Sequence, residues 1–539
     1  MHMTTWISGY RQSITALLLT SCITLTSATA APSLDHALAI YNSGDFNTAR
    51  DELTELAQYG IVTAHYNLAV MAMKGQSFPV SPGLALGFLK TSAQLGAKID
   101  QALLTQVEKA AVTAQQLPIA EKVVTQFGRQ PIINGLISAY EKCSGRQLTF
   151  DSPFNLTSFT GIDFHKAHLV PGQKLPQPYP TSSLLKGQQG IMIATALIDE
   201  HGKALDPRID AIIPQQNNDG FLSAVTEYFQ TAKFDPMTVN NLPVLSRYCF
   251  IVRFKIAGAG DTFWIPEQLA QFSKAAWRGE PDAQYAVAYI SMIDPATSQS
   301  FALDTQRQKV GMLLSAALLG VMDAQLDTSN FFSSSRCSET QDIGNVWLEQ
   351  AARSGQPRAK LLLAKQLLQS DDPASKADQI RALLSVASLS EDRYTQKHSA
   401  FLLATSKVAG VTAPETALQG ALKLKGAVKK AQANRTYNRS TPNSSEPGAP
   451  VIEVSYNYVD SSDPEQDIVL AAAYAANNNY TDAIKIQQRA ISKASKIGWD
   501  TAELETMLTE MKAKHMPDYS QFYLSWTTDK LNHGNEPRQ

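Results

Sequence analysis

Apolar residues recur every three or four positions along most of the chain, which is the spacing of an amphipathic α-helix. Stretches such as 64–73, 283–292 and 359–368 each carry one apolar stripe of this kind. Before each stretch the sequence has an alanine, a glycine three positions later and a further alanine four positions after that. A left-handed glycine commonly ends a helix, so the pattern predicts units of helix, glycine turn and second helix.

This frame marks five places in the chain, and the glycines that define it are Gly60, Gly96, Gly279, Gly320 and Gly355. Their separations are 36 residues (60 to 96), 41 residues (279 to 320) and 35 residues (320 to 355). Similar separations of this size indicate stacked repeats rather than an ordinary helical domain with alanine-rich turns. A single helix pair is too small to bury its own apolar stripe, so we expect the units to stack.

The order A-x-x-G-x-x-x-A, with a helix pair in each unit, resembles the Sel-one-like repeats, which are related to tetratricopeptide repeats. The resemblance covers roughly 35–105 and 265–370, and the copies in the first range are loose. The stretch 470–494 has the tetratricopeptide frame, with Ala476, Tyr480, Ala483 and Ala490 at its close-packing positions. Members of these families are scaffolds that bind other proteins, so the resemblance implies binding and no chemistry.

Residues 176–257 do not follow the helical pattern. Two apolar runs, 191–199 and 208–213, flank a turn at His201-Gly202 and predict a β-hairpin. Asp219 then precedes a helical pattern, GFLSAVTEYFQTA, and the segment ends in RYCFIVRFKIA, which alternates as a half-buried strand does. The predicted order is therefore strand, strand, helix, strand.

This order, with its landmarks, resembles the C-terminal domain of TonB proteins. The landmarks are Tyr179-Pro180 at the entry, Gly190 before the first strand, Asp199 and Gly202 in the D-x-x-G turn, and Phe234 and Pro236 after the helix. Family domains bind an extended peptide along the edge of the last strand, so the resemblance implies the same role here, although coverage of that edge by the neighbouring repeats is an equal alternative. The segment expected to bind a partner comprises Arg247, Tyr248, Cys249, Phe250, Ile251, Val252, Arg253 and Phe254.

The N-terminus predicts export. Arg11 precedes a short apolar run, which ends in the A-x-A signal at Ala28-Thr29-Ala30, so we expect a signal peptide that is cleaved after Ala30. Lipidation of Cys22 or retention of the segment as an anchor are the alternatives, and either would attach the protein to a membrane. No later stretch reaches the roughly 18 apolar residues of a membrane helix. The mature protein is therefore predicted to be periplasmic without a transmembrane segment.

Candidate chemistry is sparse. The net charge of −2 does not indicate nucleic-acid binding, which usually needs an excess of basic residues. Cys143, Cys249 and Cys337 follow the signal peptide without a CxxC motif, so a structural zinc site is not expected; one pair could form a disulfide, but the sequence does not say which. A D-x-H-x-x-H spacing at 163–168 has no third ligand and is interpreted as a solvated loop. We predict no catalytic residue, no cofactor and no metal.

Together these patterns predict a multidomain, mainly α protein, an α-solenoid of helix-pair repeats with one inserted α+β (ββαβ) TonB-like domain. The predicted function is a periplasmic protein–protein interaction scaffold in or beside a TonB-dependent transport system. Its partners would be other envelope proteins, such as a peptide of an outer-membrane receptor. An anchored or lipidated TonB-like energy transducer variant contacting outer-membrane receptors is one alternative, and an envelope enzyme on peptide or cell-wall substrates is another. The predicted division is a signal peptide (1–30), N-terminal repeats (31–115), a helical bridge with an irregular segment (116–175), the TonB-like domain (176–257), Sel-one-like repeats (262–425), a disordered linker (426–464) and tetratricopeptide-like helices (465–525).

Overall fold

The structure is a computed structural model that describes most of the helical chain and the strands of the inserted segment. The described residues are 32–145, 147–148, 164–165, 167–170, 185, 190–213, 228, 231–239, 241–244, 246–254, 273–293, 303, 305–335, 337–390, 392–424, 464–496, 500–520 and 522. Within them the chain is mainly helical, which confirms the prediction of a mainly α protein. The predicted signal peptide and the predicted linker up to residue 463 lie outside the described residues.

Seven helices form the N-terminal set. Their bounds are α1 Leu34–Ser43, α2 Phe46–Gln58, α3 Val62–Lys74, α4 Pro82–Gln94, α5 Gln101–Thr113, α6 Leu117–Phe127 and α7 Arg129–Ser144. Successive helices pack on one another and enclose an apolar core. At its centre the imidazole of His65 lies between the rings of Phe88 and Phe127.

The second helical set follows the strand-rich segment. It begins with a helical turn at 273–277 and continues through α8 Pro281–Ile293, α9 Gln306–Leu318, α10 Met322–Ser333, α11 Ser338–Ser354, α12 Pro357–Leu368, α13 Ala377–Ala387 and α14 Arg393–Thr405 to a last helix at 414–424. Each helix in α9–α14 packs on the next one in the chain, as expected for stacked units.

Each glycine of the repeat frame ends a helix in the left-handed conformation, with φ between +87° and +108°. At all five positions the glycine N–H donates to the carbonyl three residues earlier, and the next N–H donates to the carbonyl five residues before it. These two bonds are those of the Schellman motif, which satisfies carbonyls left free at a helix end. The structure therefore has the same turn at each copy of the sequence pattern.

A second repeated bond follows five residues after three of these glycines. A side chain of the next helix reaches back to the alanine carbonyl that also accepts the glycine N–H. The pairs are Gln284 Nε2 to Ala276 (3.1 Å), Gln325 Nε2 to Ala317 (3.2 Å) and Lys360 Nζ to Ala352 (2.8 Å). This bond fixes the second helix of a unit against the end of the first.

The two helical sets pack directly against each other, although the strand-rich segment separates them in sequence. α7 lies against α9 and α11, and the Tyr140 ring stacks on Phe331 with 4.3 Å between centroids. A disulfide joins Cys143 at the end of α7 to Cys337 before α11, with 5.8 Å between the Cα atoms. The strand-rich segment is thus an insertion into one helical body.

Three further helices complete the C-terminal end, namely α15 Pro464–Ala476, α16 Tyr480–Lys496 and α17 Ala502–Lys512. α15 packs on α14, and one core includes residues from α12–α14 and from α15–α17. Ala483 and Ala490, two of the predicted close-packing positions, are fully buried in it. A buried ion pair between Lys397 on α14 and Glu465 on α15 joins the two parts, with 2.6 Å between Nζ and Oε2.

The insertion contains an antiparallel sheet of three long strands, β3 Gly190–Ile198, β4 Ala204–Ile213 and β8 Ser246–Phe254, in the order β4-β3-β8. Five short strands lie beside it in two smaller sheets. They are β1 Phe164–His165, β2 His168–Leu169, β5 Phe234–Asp235, β6 Met237–Val239 and β7 Leu242–Val244. The predicted hairpin is β3–β4, and the predicted last strand is β8.

Candidate functional site

All eight residues expected to bind a partner lie on β8. The strand pairs with β3 at nine successive positions, from Gly190 opposite Phe254 to Ile198 opposite Ser246. The β3–β4 pairing, by contrast, is interrupted by two register shifts. β8 is therefore the more regular of the two outer strands.

The position of β8 at the margin of the sheet is the main feature of the site. Within the described residues β8 pairs with β3 alone, so no described strand lies along its other side. Successive residues of a strand direct their N–H and C=O groups to opposite sides, so about every second residue of β8 offers its backbone to that outer side. This is the arrangement in which an extended peptide can add a strand.

The hairpin turn next to this sheet is built by Asp199. Its Oδ1 accepts hydrogen bonds from the N–H groups of His201 (2.9 Å) and Lys203 (2.8 Å), and Asp199 is 7% exposed. Gly202 has φ of +76° and accepts a hydrogen bond from the Phe234 N–H at 3.0 Å. A Cβ at Gly202 would overlap the Phe234 carbonyl oxygen, so only glycine fits this position.

Three sequence landmarks therefore meet at one point, because the D-x-x-G turn rests on the strand that begins with Phe234. The Phe234 ring also packs edge-on against Tyr248 of β8, with 4.8 Å between centroids. Burial raises the pKa of nearby Tyr228, with a further contribution from Tyr248. The helix expected after Asp219 lies mostly outside the described residues, as do Tyr179 and Pro180; of it, Tyr228 and Thr231 are described as helical.

The possible metal ligands are the residues of the D-x-H-x-x-H spacing, which the structure describes only in part, and the cysteines. His165 lies in β1, His168 pairs with Asp235 at 3.0 Å, and Asp163 is outside the described residues. The one group of metal-capable side chains found among the described residues is Cys143, Cys337 and Glu339. Its two sulfur atoms are bonded to each other, so they are not available as thiolate ligands.

The disulfide also answers which cysteines pair. The sequence left the pairing open among Cys143, Cys249 and Cys337, and the structure joins the first to the last. Beside the bond, the Glu141 carboxylate accepts from Arg307 (2.9 Å) and from the Leu148 N–H (3.0 Å). These contacts fix the point at which the chain leaves the helical body for the insertion.

No model of a known protein family matches the chain, and no curated protein matches it significantly. The Sel-one-like, tetratricopeptide-like and TonB-like resemblances therefore stay predictions. Among the helices that the structure describes, none combines the length and the apolar character needed to cross a bilayer.

Proposed function

We propose that the protein is a protein–protein interaction scaffold of the periplasm, in or beside a TonB-dependent transport system. In this proposal β8 binds an extended segment of another envelope protein, such as a peptide of an outer-membrane receptor. The observation that carries it is the position of β8, which pairs without interruption on one side and has no described strand on the other.

The length of β8 suits an added strand. Nine residues at about 3.4 Å each give a strand of about 30 Å. Roughly every second residue would exchange two backbone hydrogen bonds with the peptide, and each bond contributes about 0.5–1.5 kcal/mol net. Backbone pairing of this length supports binding, and side-chain contacts would then supply the choice of partner.

Two further features support a role as an exported scaffold. The helical body holds the insertion on a base closed by a disulfide, and such bonds persist in oxidising compartments such as the periplasm. Stacked helix pairs form extended surfaces on which proteins dock, so the helical body offers binding area beyond the sheet edge.

A matched pair of proline substitutions tests the role of β8. Neighbouring N–H groups point to opposite sides, so one of Ile251→Pro and Val252→Pro removes a donor to β3, while the other removes a donor on the outer side. We expect the variant that loses a donor to β3 to lower the melting temperature of the insertion. The variant that loses an outer-side donor should keep that melting temperature but no longer capture a partner from envelope extracts. An Arg247→Glu, Arg253→Glu double variant keeps every backbone donor but changes the side chains that would choose the partner, so we expect it to weaken capture without abolishing it. Wild-type capture by a folded outer-side proline variant would refute the proposal.

A further inference from the structure

The native disulfide joins cysteines that are not neighbours in the sequence. Cys143 and Cys337 are 194 residues apart, and Cys249 lies between them on β8. Removal of the signal peptide would take Cys22 away, so the exported chain would hold these three cysteines and one native bond. Cys249 is then left without a native cysteine partner in the chain.

In the unfolded chain the native pair is the least favoured of the three. The non-native pairs close shorter loops, of 106 residues (143 to 249) and 88 residues (249 to 337). Closure probability falls with loop length to the power of about 3/2, so these bonds are favoured about 2.5-fold and about 3.3-fold over the native one. Random pairing would therefore give the native bond in only about one molecule in seven.

The order in which the cysteines leave the export channel also favours bonds to Cys249. Translocation proceeds from the N-terminus, so Cys143 and Cys249 reach an oxidising compartment before Cys337 does. The helix that places Cys337 beside Cys143, α11, follows later still. A bond formed early in export must therefore involve Cys249.

We propose that Cys143–Cys337 is reached by thiol–disulfide exchange from bonds to Cys249, which makes this protein a substrate of a thiol–disulfide isomerase. The inference rests on the export that the proposed function includes. It assigns a transient role to Cys249 and a class of folding enzyme as a partner.

The exchange balances without a second oxidant. A disulfide-containing oxidant first accepts two electrons and two protons from the thiols of Cys143 and Cys249, giving their bond and two oxidant thiols. The Cys337 thiolate then attacks Sγ of Cys143, so the Cys143–Cys337 bond forms and the Cys249 thiolate leaves and takes up a proton.

Folding then selects the native bond. Packing of α7 on α11 places the two Cα atoms 5.8 Å apart, within the range that a disulfide needs. The buried Glu141 carboxylate, paired with Arg307, holds the end of α7 in this position. Cys249 belongs instead to β8 of the inserted sheet.

Refolding with disulfide mapping tests the proposal. The full chain carrying Cys22→Ser is unfolded, reduced and refolded with oxidised glutathione, and samples are alkylated over time and mapped by mass spectrometry. We expect bonds to Cys249 to exceed the native bond about six-fold at the earliest times. A thiol–disulfide isomerase should speed the conversion of these bonds to Cys143–Cys337. The Cys249→Ser variant should form the native bond directly, at a rate that the isomerase does not change.

The wild-type time course decides the outcome even if Cys249→Ser folds poorly, and Cys249→Ala provides a second variant. A native bond that dominates from the earliest sample and does not respond to the isomerase would overturn the proposal. The assay is independent of export, because Cys22 is replaced and no cell is involved. N-terminal sequencing of the protein from cells tests export separately, since it should begin at Ala31.

Discussion

Replacing Gly60 by alanine tests whether the N-terminal helices pack on the second set as the structure shows. Gly60 has φ of +87°, and a Cβ there would overlap Cδ2 of Leu318 on α9. Gly320 is the matched control. It has φ of +95° in another copy of the same type of turn, but a Cβ there would meet no atom within 4 Å. The two substitutions thus share the backbone strain and differ in the contact between helical sets.

The expected costs follow from this difference. An L-residue in the left-handed region costs about 1–2 kcal/mol, and the smaller entropy of the unfolded alanine chain offsets about 0.4–1 kcal/mol of this. Gly320→Ala should therefore lower the free energy of unfolding by about 1 kcal/mol. Gly60→Ala adds overpacking of about 1–3 kcal/mol, because Leu318 is 2% exposed and has little room to move.

Urea unfolding followed by circular dichroism measures both costs on the first cooperative transition. Leu318→Ala removes the Cδ2 methyl that the new Cβ would overlap and leaves a 3.3 Å contact with Ile132 Cγ2. In that background Gly60→Ala should therefore cost about as much as Gly320→Ala does. The double-mutant cycle would then give a coupling of about 1–3 kcal/mol. Equal costs at Gly60 and Gly320 in the wild-type background, or no relief from Leu318→Ala, would refute this packing.

Three further predictions concern His65, the Lys397–Glu465 ion pair and the disulfide. Burial lowers the pKa of His65 to about 4, below the value of about 6.5 in the unfolded chain, so its contribution to stability is full above pH 6.5 and falls by about 3 kcal/mol toward pH 4. His65→Leu should flatten the dependence of unfolding free energy on pH over this range, and an unchanged slope would contradict the assignment. Lys397→Met should cost about 3–5 kcal/mol in thermal unfolding, because it leaves a buried carboxylate; adding Glu465→Leu should recover most of this loss, and additive losses would argue against the ion pair. A Cys143→Ser, Cys337→Ser double variant should lose about 2–4 kcal/mol of unfolding free energy in urea, and reductant should no longer change its urea midpoint. If reductant leaves the urea midpoint of the wild-type protein unchanged, the bond is excluded.

Local features of the fold could be predicted from the sequence because each depends on a few adjacent residues. A glycine three residues after a buried alanine specifies a Schellman turn, and the turn is present at Gly60 as at Gly355. The side chains that reach back to the alanine carbonyls were missed, since Gln325 in the sequence looks like any other polar helical residue. The packing of α7 on α11 was also missed, because it joins parts of the chain that no local pattern relates.

In the candidate site, too, the local features could be predicted and the contacts between distant residues could not. Alternation along RYCFIVRF is sufficient to predict β8, and Asp199 and Gly202 are sufficient to predict the turn. The register of β8 on β3, the contact of the turn with Phe234 and the short strands beside them depend on distant backbone groups. The register could not be predicted, because a two-residue shift of β8 along β3 keeps the same side chains on the same face. No local pattern relates the turn or the short strands to their distant partners.

Closure of the helical body around its insertion has a mechanical consequence. In a linear array of helix pairs, tension on one unit peels its neighbours away in succession, since each is held only by the next. Here tension on the chain at Leu148 passes through Cys143 into α11 by a covalent path. A bound partner that pulls on the sheet would load the junction of α7 and α11, and the breaking strength of that junction would be set by a sulfur–sulfur bond instead of by side-chain packing alone.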